Sequence, residues 1–158
     1  MVTCNCGFLR YRNKTLRPHI FPDVIPSFKR WQADPYFIKI YSFATGTEEN
    51  QKLFLSATEG GDVTQYIASS FHAYGLGKYD WTKYYTIRNV LGTEYHDDLF
   101  YLTDSSTKGK QAARAGLTVI IVRREGNREY EESDLKLFKN ITTFDQLDFI
   151  SFDNPSCC

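Results

Sequence analysis

Phe37-Ile-Lys-Ile-Tyr-Ser-Phe-Ala-Thr-Gly-Thr-Glu-Glu-Asn-Gln-Lys52 decides the fold. Its first half, Phe37 to Phe43, is aromatic and β-branched, the composition of a strand covered on both faces of an α/β sheet. Ala44-Thr-Gly-Thr47 then offers no bulky side chain, so its backbone can approach a ligand closely. Thr47 reads as an N-cap, with Glu48 and Glu49 in the first turn of a helix that runs on through Leu53-Phe-Leu55. Free backbone N–H groups and a helix dipole aimed at one spot favour phosphate. The same residues also suit an ordinary strand-to-helix connection that binds nothing.

The remaining chain repeats this alternation. Upstream, Val24 to Trp31 makes a helix with Val24, Phe28 and Trp31 on one apolar face, and Pro22 and Pro26 tolerable at its start. Downstream come a short helical piece at Val63–Ile67, a second strand around Phe71, and the flexible turn Gly75-Leu-Gly-Lys78. Asp80 caps a helix from Trp81 to Leu91 that buries Tyr84, Tyr85, Ile87 and Leu91 and closes at Gly92. Asp98-Leu-Phe-Tyr-Leu-Thr-Asp104 is a strand ending in a carboxylate, and Thr107 to Ala115 a helix whose alanines suit close packing. Gly116 to Val122 is a third strong strand, Arg123 to Asp134 a solvated loop or frayed helix, and Thr142 to Leu147 a last short helix. Strands alternating with helices predict an α/β, Rossmann-like parallel sheet with flanking helices.

Composition narrows the partners. The 158 residues make one domain, with Lys plus Arg and Asp plus Glu equal at 19 each, so no net charge points to nucleic acid or an anionic membrane. No apolar run is long enough to span a bilayer and no signal-peptide core precedes residue 19, which reads as an intracellular protein. The four cysteines, Cys4, Cys6, Cys157 and Cys158, sit at the two ends. Their Cys-x-Cys and Cys-Cys spacings fit structural zinc poorly, and they read as free thiols.

Three features fall at successive turns after strands: Ala44-Thr45-Gly46, Lys78 and Asp104. Parallel topology would bring them to the carboxyl-end rim where open α/β sheets bind ligands. The chemistry that wants this trio is phosphoryl transfer. A hydroxyl and backbone amides hold phosphate oxygens, a lysine offsets their charge and a carboxylate holds a magnesium ion. Singly, Lys78 also suits a solvated loop and Asp104 a helix cap.

From His19 to about Ile150 the chain resembles the C-terminal half of the enolase-phosphatases (acireductone synthases), phosphatases of the haloacid-dehalogenase-like superfamily. The matching words are His19-Ile-Phe-Pro-Asp-Val-Ile-Pro-Ser-Phe-Lys-Arg-Trp31, Tyr41-Ser-Phe-Ala-Thr-Gly-Thr47, Gln51-Lys-Leu53, Ser56-Ala-Thr-Glu-Gly-Gly-Asp62, Phe100-Tyr-Leu-Thr-Asp104 and Ala112-Ala-Arg-Ala-Gly116. The resemblance implies a haloacid-dehalogenase-like core over residues 19–150, while residues 1–18, unlike the rest in composition, read as an atypical, poorly ordered arm and 151–158 as a tail. It implies that Ala44, Thr45 and Gly46 contact substrate, that Lys78 is the catalytic phosphate lysine, and that Asp104 binds Mg2+. It further implies dephosphorylation of a small phosphorylated diketone in methionine salvage, by a monomer in the cytoplasm and also the nucleus.

The chain departs from that pattern in two places. Where the family has two serines it has Ala44 and Thr45, one side-chain donor fewer. And no Asp-x-Asp or Asp-x-Glu occurs among its residues, so the nucleophile strand and the helical cap that follows it are missing. Without the aspartate that attacks phosphorus, no phospho-enzyme forms. The expectation is a catalytically incomplete fragment, or else a non-catalytic binding or regulatory module on the same scaffold. In the family's sheet the missing strand is central, so two strand edges should lack a neighbour.

Overall fold

A computed structural model describes residues 16–72, 80–92, 99–127, 130, 132–147 and 149. The chain divides into two compact units, Met1–Tyr74 and Gly75–Cys158. In the first, helix α1 (Val24–Gln32) is followed by strand β1 (Ile40–Ala44), helix α2 (Glu48–Ser56), a 3-10 turn (Thr64–Tyr66) and strand β2 (Ile67–His72). The second holds α3 (Trp81–Leu91), β3 (Phe100–Thr103), α4 (Ser106–Arg114), β4 (Thr118–Val122), α5 (Glu132–Leu137), β5 (Lys139–Ile141) and a 3-10 turn at Phe144–Gln146.

All strand pairing among the described residues is parallel, as the alternation of strands and helices requires. In the first unit β1 pairs with β2 from Ile40↔Ile67 to Ala44↔His72, with a register shift after Ile40. The second unit's sheet runs β3-β4-β5, with Tyr101 opposite Val119 and Ile121 opposite Asn140. Among the described residues, β1 has β2 as its one strand neighbour and β3 has β4.

Burial follows position in the sheet. Central β4 is the core of the second unit, with Ile120 and Ile121 at 0% exposure, and Ala112 of α4 is equally buried against the sheet. Gly109 lies one turn before Ala112, and a Cβ there would meet Val119 Cγ1 at 3.0 Å. Small residues thus let α4 approach the sheet, although Ala113 faces solvent. In the first unit Val63, Trp31 and Ala57 are the buried apolar side chains among the described residues.

Several expected features are corrected. β1 begins at Ile40 rather than Phe37, and all five of its residues are only half-buried. The preceding backbone folds back onto α1, where Phe37 N–H donates to Ala33 and Ile38 N–H to Trp31 at 2.7 Å. Phe37 takes a positive φ of 47° and is 67% exposed, so it contributes to neither strand nor core. Strand β5 has no counterpart among the strands expected from sequence. Tyr85 is exposed and stacks edge-on with Trp81 at the surface, whereas Tyr84 alone of α3 is fully buried. Asp134 belongs to a helix, one of the two forms expected for its stretch, but at 7% exposure it is buried rather than solvated.

The caps are where the sequence places them. Thr47 accepts from Asn50 N–H at 3.2 Å, Asp80 accepts from Thr82 N–H at 2.9 Å, and Gly92 closes α3 in the left-handed region at φ 67°. Residues 1–15, 73–79 and 150–158 lie outside the described residues, and with them the four cysteines and Lys78.

Candidate functional site

The candidate residues fall on both units. In the first, Ala44 is the last residue of β1, and Thr45 and Gly46 lead through the cap Thr47 into α2. Thr45 is exposed, with Ala44 and Gly46 half-buried. The turn is held from beneath by Gln51, the single buried side chain of α2. Its Nε2 donates to the Gly46 carbonyl at 3.1 Å and to the Phe71 carbonyl at 2.9 Å. Its Oε1 accepts from Ser42 Oγ at 2.7 Å, and Ser42 is also 2.8 Å from Ser70 Oγ on β2. Charge at the helix start is mixed: Glu48 and Glu49 occupy the first turn, and Lys52 pairs with Glu48 at 2.8 Å. The Lys52 ammonium holds the Glu48 carboxyl below its ordinary range.

In the second unit Asp104 follows β3 directly, exposed at the strand's carboxyl end. The buried Thr103 before it accepts from Ser105 N–H at 3.2 Å, and Ser105 caps α4 through Lys108 N–H. Tyr130 donates its hydroxyl proton to the Asp104 carbonyl at 2.8 Å. Asn127 Nδ2 in turn donates to Tyr130 Oη and to the Val122 carbonyl, each at 3.1 Å. The backbone that presents the Asp104 carboxylate is thus tied to the end of β4. Beneath it, Tyr84 and Tyr101 meet at 3.4 Å between hydroxyl oxygens, and burial pushes both phenols above their ordinary range.

Among the described residues no three His, Cys, Asp or Glu side chains cluster as a ligand set. Magnesium nonetheless takes as little as one or two carboxylates from a protein when waters and a substrate phosphate supply the rest. The exposed, backbone-anchored Asp104 suits that sparse role.

The sequence offers Thr45, Gly46 and Asp104 as candidates, without the side chains that hold their backbone. Gln51 stands out only as part of the matching word Gln51-Lys-Leu53, and Tyr130 sits in the run Arg-Glu-Tyr-Glu-Glu, which reads as solvent-facing. No local signal marks the buried, hydrogen-bonding role of either.

No family model matches the chain. "Enolase-phosphatase E1" of Anopheles gambiae is 31% identical over 139 residues, covering 88% of this chain and 46% of that protein. The chain therefore spans about half the length of that relative. Among solved structures, the UTR4 protein of Saccharomyces cerevisiae aligns with a TM-score of 0.72 at 19% identity, over 89% of this chain and 62% of that one. A HAD-family enzyme of Bacteroides thetaiotaomicron, crystallised with magnesium and inorganic phosphate, aligns at 0.57 and 13% identity, over 85% and 67%. These likenesses show the fold to be parallel sheets with flanking helices of the haloacid-dehalogenase-like, Rossmann type. The sequence is similar to enolase-phosphatases over most of this chain.

Proposed function

We propose that the chain carries the phosphate-contacting and metal-contacting residues of an enolase-phosphatase-type site and binds a small phosphorylated diketone of methionine salvage, 2,3-diketo-5-methylthiopentyl-1-phosphate, without hydrolysing it by itself. The observation that carries this reading is the 31% identity to an enolase-phosphatase over 88% of the chain, in a sequence that has no Asp-x-Asp or Asp-x-Glu.

In this reading the Thr45 hydroxyl and the turn amides that follow Ala44 hold phosphate oxygens, with the α2 dipole behind them. Lys78 offsets phosphate charge. Asp104 gives one carboxylate to Mg2+, which when bound neutralises charge on the phosphate oxygens. Alanine at position 44 removes one hydroxyl donor relative to the paired serines of the family, a loss of about 1.5–3 kcal/mol for a hydrogen bond to a charged group. Binding is weakened on this account and turnover is absent, since no covalent phospho-enzyme can form without the attacking carboxylate.

Titrating inorganic phosphate with Mg2+ into the isotopically labelled chain tests the reading. The expected result is saturable amide shifts at Thr45, Gly46 and Thr47, and at Asp104 and Ser105 on adding Mg2+, the latter lost in Asp104→Asn. Absence of any shift at Thr45 to Thr47 at millimolar phosphate would overturn it. A second reading, a regulatory module on the same scaffold, is favoured by the same missing motif and predicts a folded chain that ignores phosphate.

A further inference from the structure

α2 buries the wrong residue for an amphipathic helix. Its sequence is Glu-Glu-Asn-Gln-Lys-Leu-Phe-Leu-Ser, yet Phe54 is 45% exposed while Gln51 is 6% exposed. Burying a primary amide in place of an apolar side chain is unfavourable unless its hydrogen-bonding groups are satisfied. Here both Nε2 hydrogens are used, on the Gly46 and Phe71 carbonyls, and Oε1 accepts from Ser42. That partner set fixes the amide's orientation, because a carbonyl can only accept. The single Ser42 proton goes to Gln51, so the 2.8 Å contact with Ser70 is a donation from Ser70 to Ser42. The result is a directed relay from Ser70 through Ser42 and Gln51 to the Gly46 carbonyl.

We propose that Gln51 is the positioning residue of the Ala44–Thr47 turn: by drawing the Gly46 carbonyl inward and locking it to β1 and β2, it sets the direction of the Thr47 N–H and so the turn's affinity for phosphate. This rests on the phosphate reading of the turn for its consequence, though not for its geometry. A peptide plane has one orientation, so fixing its carbonyl fixes the direction of the N–H on the other side. Gly46 O and Thr47 N–H share that plane. The relay acts without touching ligand, so it differs in kind from the hydroxyl of Thr45.

The test is amide hydrogen exchange and phosphate titration on the full chain and three variants, Gln51→Met, Ser42→Ala and Gln65→Ala. Gln65 donates to the Asp62 carbonyl within the 3-10 turn, outside the relay's hydrogen bonds, and serves as the control. Gln51→Met is expected to shift the Thr45–Thr47 resonances, to speed exchange at least tenfold at the backbone amide of residue 51, which donates to the Thr47 carbonyl at 3.0 Å, and to weaken phosphate binding at least fivefold. Ser42→Ala, which leaves both donations of Gln51 in place, gives a smaller effect in the same direction. A folded Gln51→Met with wild-type resonances at Thr45–Thr47 and wild-type exchange at the backbone amide of residue 51 would overturn the proposal. Should Gln51→Met fail to fold, Ser42→Ala decides: altered turn resonances support the proposal and unaltered ones overturn it. If the turn moves in Gln51→Met while wild-type chain binds no phosphate, the positioning role stands and the phosphate reading falls.

Discussion

The hydroxyl of Tyr130 donates to the backbone carbonyl of Asp104 at 2.8 Å, across 26 residues of sequence. Asn127 supports it at 3.1 Å while also reaching Val122. The two side chains act in series on the same strand end, so Tyr130→Phe is expected to cost about 0.5–1.5 kcal/mol in stability, the net worth of one hydrogen bond. Asn127→Ala also leaves Tyr130 less restrained, so the double variant should cost less than the sum of the singles. Urea midpoints for the three proteins check this; strict additivity would mean that the two bonds are independent.

Gly109 lies under β4, where an added Cβ would stand 3.0 Å from Val119 Cγ1, 3.4 Å from Ile121 Cδ1 and 3.5 Å from Phe138 Cε2. Alanine is favoured over glycine within a helix by about 1 kcal/mol. Against that, Val119 and Ile121 are 6% and 0% exposed and cannot yield easily, and overpacking costs about 1–3 kcal/mol. Crowding against the sheet outweighs the helix preference, so Gly109→Ala should lower the urea midpoint. A raised midpoint would show that the sheet can give way.

Acid stability should decline through specific carboxylates. The Thr82 backbone N–H holds Asp80 below its ordinary range, and Lys110 does the same for Asp134. A carboxyl depressed in the folded state contributes stability above its unfolded value of 3.8, and the contribution is lost as pH falls through the lower folded value. Unfolding midpoints should therefore be flat near neutrality and fall below about pH 4. Asp80→Asn keeps a capping side chain and should flatten part of that fall, whereas Asp80→Ala should lose the cap at every pH. Thermal melts from pH 3 to pH 7 separate the two variants.

The alkaline limb has the opposite sign. Burial raises the phenols of Tyr84 and Tyr101 in the folded state, so their contribution is complete below the unfolded value of 10.0 and is lost as pH rises past it. Absorbance at 295 nm should show these two tyrosines ionising only with unfolding. Their early, reversible titration alongside exposed tyrosines would contradict the buried pair.

What can be read from sequence is local. Thr47, Asp80 and Gly92 carry helix ends in their own chemistry, and the runs at Phe100–Thr103 and Thr118–Val122 carry strands in theirs. β5 escapes notice because three residues, Lys-Asn-Ile, are too few to establish a period of two. The start of β1 is misplaced because hydrogen bonds from Phe37 and Ile38 back to α1 compete with the strand, which aromatic and β-branched composition cannot reveal. Gln51 and Tyr130 are illegible for one reason: each is defined by carbonyls distant in sequence, Phe71 for the first and Asp104 for the second. Thr45, Gly46 and Asp104 can be named from the sequence as candidates, while what fixes their backbone comes only from the fold.

Phosphate release is the most direct test of the central claim. The purified chain is mixed with 2,3-diketo-5-methylthiopentyl-1-phosphate and Mg2+, beside Asp104→Asn and a no-protein blank, and inorganic phosphate is measured over time. Release indistinguishable from the blank is predicted, from a folded chain that still binds the ligand, because the sequence has no Asp-x-Asp or Asp-x-Glu to attack phosphorus. Mg2+-dependent release that disappears in Asp104→Asn would contradict that prediction and reveal a nucleophile elsewhere in these 158 residues.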